Sequence, residues 1–316
     1  MLTGIFAGIT WAVETVVIGI ALSMTPFVSS EEGVFLAPFV STFLHDSVSS
    51  LFMWIYNAIR GKTKEVLKLF KTKSFIWLVV ASAIGGPCGM TGYVLAVSYM
   101  GASIGAVASA VYPAIGSVLA FFFLKEKVKW YQWIFLVITL LGVFGLGYSP
   151  EMDIKNFWLG LVGILMCALG WGIEGVILSG CFKNGGIKSE YALQIRQTVS
   201  ALLYGAVILP ILSGWRFTAG LFVKENADVL LTVALAAVFA SISYLLYYRA
   251  ISSLGVSKAM GLNITYTAWA MIIEVVFLKR YGLLSPLTVG CAAIVVLCGI
   301  FAATDIKALK TNGSKL

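Results

Sequence analysis

Ile9-Thr10-Trp11-Ala12-Val13-Glu14 returns in the second half of the chain as Leu169-Gly170-Trp171-Gly172-Ile173-Glu174. Each copy lies inside a run of roughly twenty mainly apolar residues, the length that crosses a ~30 Å hydrocarbon core at ~1.5 Å per residue. On such a helix, residues three apart share a face, so each copy presents an indole and a carboxylate together at membrane depth. A feature this costly, present twice, reads as a duplicated membrane fold.

Composition agrees. Of 316 residues, 60% are apolar and 11% charged, against roughly 25% charged in soluble domains. Lipid is therefore the solvent. The net charge of +8 does not point to nucleic acid, because the Lys and Arg lie in short loops between apolar runs rather than on one face or groove. Cys88, Cys167, Cys181, Cys291 and Cys298 fall within or at the end of apolar segments, without metal-site spacing. They read as small lipid- or core-facing residues, so no disulfide, metal or cofactor is expected. The first run lacks a basic leader and a small-x-small cleavage site, and reads as a mature helix rather than a signal peptide.

The runs predict ten helices, near 3–24, 34–59, 74–98, 102–124, 130–148, 157–180, 189–213, 229–249, 256–278 and 285–303. Trp77, Trp130, Trp133, Trp158 and Trp215 lie at run ends, as interfacial belts require; Trp11, Trp171 and Trp269 lie near mid-run. With a cytoplasmic N-terminus, 16 of the 22 Lys and Arg fall in inner loops and tail, five fall outside, and Arg196 lies within a helix. That asymmetry places both termini in the cytoplasm of a cell-membrane protein.

The echoes continue. Tyr93-Val94-Leu95-Ala96 leads to Gly101-Ala102-Ser103 as Tyr247-Tyr248-Arg249-Ala250 leads to Gly255-Val256-Ser257. At the same offset of 154, Tyr112 falls on Tyr266 and Leu124-Lys125 on Leu278-Lys279; Val48-Ser49 matches Val199-Ser200. The expected fold is an all-α polytopic membrane protein, with ten transmembrane helices as two five-helix repeats, residues 1–150 and 151–305, and a cytoplasmic tail, 306–316. Five is odd, so the second repeat is inverted, an arrangement that puts a substrate site near the midplane where the halves meet.

Ionisable groups at that depth are functional candidates. Trp11 with Glu14 and Trp171 with Glu174 form two faces suited to a cation, since the indole quadrupole attracts it and the carboxylate neutralises it; desolvated contacts of this kind contribute ~2 kcal/mol. The alternative is that the indoles fill interhelical space. Tyr112 and Tyr266, with Ser109 and Asn263 three residues before them, could close an aromatic cage; Tyr93 and Tyr247 are further candidates. Asp46 and Arg196 stand at nearly matching places in the second and seventh helices and are expected to pair as a structural or gating bridge. His45, beside Asp46, reads as a packed residue or a proton relay. Glu274 stays unassigned. Three acids against one Arg suit a cationic substrate and disfavour an anionic one. Gly85-Gly86-Pro87 and Pro113 mark expected breaks in the third and fourth helices; the ninth has Gly261 and Thr267 instead of a proline, so the symmetry of breaks is incomplete. No phosphate loop, zinc motif or activated nucleophile points to an enzyme.

The chain resembles the EamA-type ten-helix permeases of the drug/metabolite transporter superfamily over nearly its whole length. It is similar in particular to bacterial choline-uptake permeases through His45-Asp46, Gly86-Pro87-Cys88-Gly89-Met90, Ala110-Val111-Tyr112-Pro113-Ala114-Ile115, Trp171-Gly172-Ile173-Glu174, Ile195-Arg196-Gln197 and Gly261-Leu262-Asn263-Ile264-Thr265-Tyr266. That resemblance implies import of choline or a similar small organic cation by alternating access, with Trp11, Tyr112, Trp171 and Glu174 as its site. Glu14 departs from the pattern, which has a small residue there. Export of amino acids or cationic metabolites, or a non-transporting membrane sensor or scaffold, are the competing expectations. Membrane lipid is an expected partner and nucleic acid is not; proton coupling and a homodimer are left open.

Overall fold

In hydrocarbon every backbone N–H and C=O must be satisfied within the chain, which drives apolar runs of this length into helices. The computed structural model describes residues 1–100, 102–147 and 156–305, and for residues 97, 98 and 102–109 the backbone alone. The expected tail 306–316, most of the linker near 149–156 and the Ser109 side chain lie outside the described parts.

The spanning elements are α1 (Leu2–Leu22), α2 (Glu31–Ile59), α3 (Lys73–Ala83, Ile84–Cys88 and Gly89–Met100), α4 (Ala102–Phe123), α5 (Trp130–Gly147), α6 (Phe157–Gly185), α7 (Ser189–Leu203, Tyr204–Ile208 and Leu209–Ile211), α8 (Ala227–Leu254), α9 (Val256–Asn263 and Tyr266–Phe277) and α10 (Pro286–Ala303). Among the described residues, nine helical stretches are long and apolar enough to cross a membrane, and the fully described part of α4, Ala110–Phe123, is a shorter apolar one. The molecule is an all-helical polytopic membrane protein. Its outer face carries exposed Phe122, Phe123, Leu141, Leu231 and Phe277, which water would not tolerate in such number and lipid does.

Local sequence sets the ends. Ser30 and Asn156 accept from the Gly33 and Leu159 amides to start α2 and α6, and Ser285 with Thr288 forms a capping box on α10. α6 stops where Gly186 turns left-handed. Several elements outrun their sequence bounds: α2 begins at Glu31, α6 reaches Gly185 and α8 reaches Leu254.

The breaks differ from those expected. α3 does yield at Gly85-Gly86-Pro87, as a π turn over Ile84–Cys88. α4, however, runs through Pro113 without interruption. α7 has an unforeseen π turn at Tyr204–Ile208, and α9 parts at Ile264-Thr265. No proline is needed there, because threonine hydroxyls take the freed carbonyls: Thr265 Oγ1 donates to Leu262 O at 2.6 Å and Thr267 Oγ1 to Ile264 O at 3.1 Å.

Packing pairs the two halves throughout. α1 lies on α8 and α9, while α6 lies on α3 and α4; α2 contacts α8 as α7 contacts α3; α2 meets α7 and α5 meets α10. Exchanging the first five helices for the last five returns the same set of pairs. Two apolar clusters flank a polar layer in α2, α7 and α8. One holds Leu36, Leu44, Tyr204, Leu209 and Val233, the other Met53, Leu193, Ile195 and Tyr248. Between them lie His45, Asp46, Ser49, Arg196, Gln197 and Ser241, all buried.

Candidate substrate site

That polar layer is cross-linked. Ser49 and Ser241 hydroxyls meet at 2.5 Å, and Gln197 Nε2 donates to Ser49 Oγ at 2.8 Å. Arg196 is held at its centre. Its Nε donates to Glu174 Oε1 at 3.1 Å, its Nη1 to Gln197 Oε1 at 2.6 Å, and Asp46 Oδ2 lies 3.6 Å away. Its guanidinium also lies over the Tyr244 ring, 4.7 Å from the centroid. A lone arginine at this depth would be prohibitive; two carboxylates and a ring face make it tenable.

The chain of charge continues. Asp46 Oδ1 bonds His45 Nδ1 at 2.9 Å, and His45 Nε2 lies 3.7 Å from Glu14 Oε1. Glu14, His45, Asp46, Arg196 and Glu174 thus form one line running from α1 through α2 and α7 to α6. The Asp46–Arg196 juxtaposition expected from sequence is part of it.

One end of that line, Glu174, opens onto a cavity. Trp11, Tyr112, Trp171, Glu174, Tyr244, Tyr247, Tyr248, Asn263 and Tyr266 line it, with Gly175 and Leu178. Its volume is about 70 Å³, several times the ~10–15 Å³ that one water needs. Both repeated tryptophans therefore reach one chamber. The Trp11 ring meets Tyr244 edge-on at 4.7 Å and Tyr266 at 6.4 Å; Trp171 meets Tyr112 edge-on at 5.7 Å.

The two glutamates do not share that fate, contrary to the expected pair of matching faces. Glu174 lines the chamber, whereas Glu14 is turned to His45 and to Thr15 Oγ1 at 3.4 Å. Charge decides it: α1 packs beside α2, where His45 gives Glu14 a partner, and Glu174 has Arg196. Tyr93 stacks on Trp171 at 6.2 Å and supports it without lining the chamber. His45, Asp46 and Arg196 stay behind the wall. Glu274 pairs with Arg280 at 3.2 Å, away from the site.

Each wall residue is set by an identifiable contact. The π turn of α3 frees the Gly85 carbonyl, which accepts from Trp171 Nε1 at 2.8 Å and so fixes the indole. Gly85 also makes room for Glu174, since a Cβ there would stand 1.9 Å from Oε2. Tyr248 OH donates to Glu174 Oε1 at 3.1 Å, and Asn263 Nδ2 donates to Tyr112 OH at 3.0 Å. Glu174 Oε1 thus takes two donors while no described donor reaches Oε2. The arrangement offers a desolvated guest several ring faces, one carboxylate oxygen and the Asn263 carbonyl, which is buried without a described partner. Tyr244 and Tyr248 were not singled out in sequence; their i, i+4 spacing on α8, in register with Ser241, was the available signal.

Comparison with known proteins follows the same lines. Residues 1–148 match the EamA-like transporter family. Over 193 residues the chain is 28% identical to Protein LicB of Haemophilus influenzae (strain ATCC 51907 / DSM 11121 / KW20 / Rd), which covers 61% of this chain and 63% of that protein. The match thus spans a little less than two thirds of that relative's length. A crystal structure of another protein shares the fold with a TM-score of 0.68 over 96% of each chain, at 16% identity. Residues 1–148 are thus similar to the EamA-like transporter family, in a polytopic helical membrane protein that is also similar to LicB.

Proposed function

We propose that the chain is a secondary transporter of the drug/metabolite superfamily that imports choline, or a closely related small quaternary amine, by alternating access between two inverted repeats. The observation that carries this reading is the chamber itself: tryptophan and tyrosine faces from α1, α4, α6, α8 and α9 converge on a space with one ion-paired carboxylate at its wall. Quaternary ammonium groups cannot donate strong hydrogen bonds, and they bind by ring quadrupole and countercharge. Sugar phosphates or other anions would meet Glu174 with no free cation among the lining residues.

The similarity to LicB and the EamA-like first half support transport; the exchangeable packing of the two halves supports the inverted repeat, with its site where the halves meet. Both termini then face the cytoplasm. A negative interior favours entry of a monovalent cation by ~2.3 kcal/mol per 100 mV. Protons coupled to import would act through the buried line that ends at Glu174.

Uptake of radiolabelled choline into proteoliposomes tests the reading. The wild type is expected to show saturable uptake, and Trp171→Ala and Glu174→Gln to lose it. Full uptake by both variants would refute the cage, and a thermal-shift panel in which amino acids stabilise the protein and choline does not would favour export of amino acids.

A further inference from the structure

The turn that ends α4 and the turn that ends α9 are the same piece of backbone. Lys125 and Lys279, at matching positions, adopt φ of 53° and 55°. Leu124 N donates to Ala120 O at 3.0 Å, as Leu278 N does to Glu274 O at 3.1 Å; Glu126 N donates to Ala120 O at 3.2 Å, as Arg280 N does to Glu274 O at 3.2 Å. The next side chain is opposite in charge at the two ends of the molecule: Glu126 at one, Arg280 at the other.

Glu126 reaches across to α9. Its Oε1 accepts from Val256 N at 2.9 Å, and its Oε2 accepts from Ser257 N at 3.2 Å and Ser257 Oγ at 3.1 Å. The carboxylate thereby takes the orphan amides and the positive end of that helix. Lys183, near the end of α6, closes on the same carboxylate at 3.5 Å. Gly255 is shaped for the contact: its φ is 90°, and a Cβ there would stand 2.6 Å from Oε1. The three tethered elements are those that carry Tyr112, Trp171, Glu174, Asn263 and Tyr266 into the chamber. A vestibule of about 320 Å³ lies at this junction, lined by Glu126, Lys127, Lys183 and Lys258 among others.

Arg280 cannot do the same. A guanidinium accepts no hydrogen bond and is repelled by a helix N-terminus; it pairs instead with Glu274 on its own element. We infer that Glu126 is a latch that holds its own end of the molecule closed, the cytoplasmic end by charge distribution, while among the described residues Arg280 makes no matching contact at the opposite end. Glu126 is then a positioning residue that biases the resting protein toward the state open to the other side, a role that deepens the transport reading and rests on it.

Hydrogen–deuterium exchange of the full-length protein in nanodiscs tests the latch without any solute. In Glu126→Gln, peptides over residues 255–258 and the chamber walls, 171–183 and 244–263, are all expected to exchange about fivefold faster, since the closed population falls. With choline added outside proteoliposomes, half-saturation is expected to rise about fivefold while maximal uptake is retained, because fewer molecules face outward. Faster exchange confined to 255–258 would make Glu126 a helix cap alone and overturn the proposal. Should Glu126→Gln not fold, Lys183→Gln replaces it. That variant keeps the cap but not its cation, and is expected to show the same pattern with smaller amplitude; unchanged wall exchange there counts against the latch. Faster wall exchange in a protein that takes up no labelled solute would sustain the latch and sink the transport reading.

Discussion

At the residue scale the site turns on Glu174. Its Oε1 is spent on Arg196 and Tyr248, and Oε2 stands against Gly85. Gly85→Ala would drive a methyl into that carboxylate, so choline binding measured by calorimetry is expected to disappear while the helix content by circular dichroism is kept. Tyr248→Phe removes one hydrogen bond to a charged acceptor, worth ~1.5–3 kcal/mol, and binding is expected to weaken about tenfold or more. The two glutamates also separate by experiment. Because Glu14 lies behind the wall, Glu14→Gln is expected to change choline affinity by less than about threefold, whereas Glu174→Gln is expected to cost more than tenfold, through loss of a charge and of the arginine's partner. Equal losses in both variants would restore a symmetric pair of faces.

At the element scale, spanning helices are broken where a side chain or a carbonyl is needed. The α3 π turn delivers the carbonyl that orients Trp171, and the α9 break separates Asn263 from Tyr266 so that both reach the chamber. Glycine and proline made the first break legible in sequence. The second was hidden, because Thr265 and Thr267 are ordinary residues whose hydroxyls take on carbonyls only once the neighbouring helices fix them. Outside the membrane, the short helix Thr63–Leu69 is tied to α7 through Glu65, which accepts from Lys62 at 2.8 Å and from Tyr191. The Lys62 bond first, and the Tyr191 bond after it, hold the Glu65 carboxyl down to about 2 from 4.5. The folded value lies below the unfolded one, so this tie contributes fully above about pH 4.5 and is lost as pH falls toward 2. Thermal unfolding of wild type and Glu65→Gln is expected to differ at pH 7 and to converge only as pH falls toward 2.

At the scale of the whole molecule, the buried line from Glu14 to Glu174 fastens four helices together. Arg196→Gln strands two carboxylates, and a loss of roughly 3–5 kcal/mol is expected, read as a lower unfolding temperature in lipid. Orientation is tested by fusing a fluorescent protein to either terminus: both fusions are expected to fluoresce, as cytoplasmic fusions do, and a dark C-terminal fusion would contradict an even number of crossings.

The solvent, the helices and the positions of the costly groups were legible along the chain, because those follow from run length, composition and the penalty for charge in hydrocarbon, all properties of local chain. The sequence also named Trp11, Trp171, Glu174, Tyr112 and Asn263 as neighbours in waiting. Which of two equivalent glutamates faces the chamber emerged with packing, since that depends on whether His45 or Arg196 lies within reach across a helix boundary. Packing also brought Tyr244 and Tyr248 to the wall and set Glu126 on the start of α9. Contacts between distant segments arise from packing angles and competing charges, and no spacing along a single chain carries them.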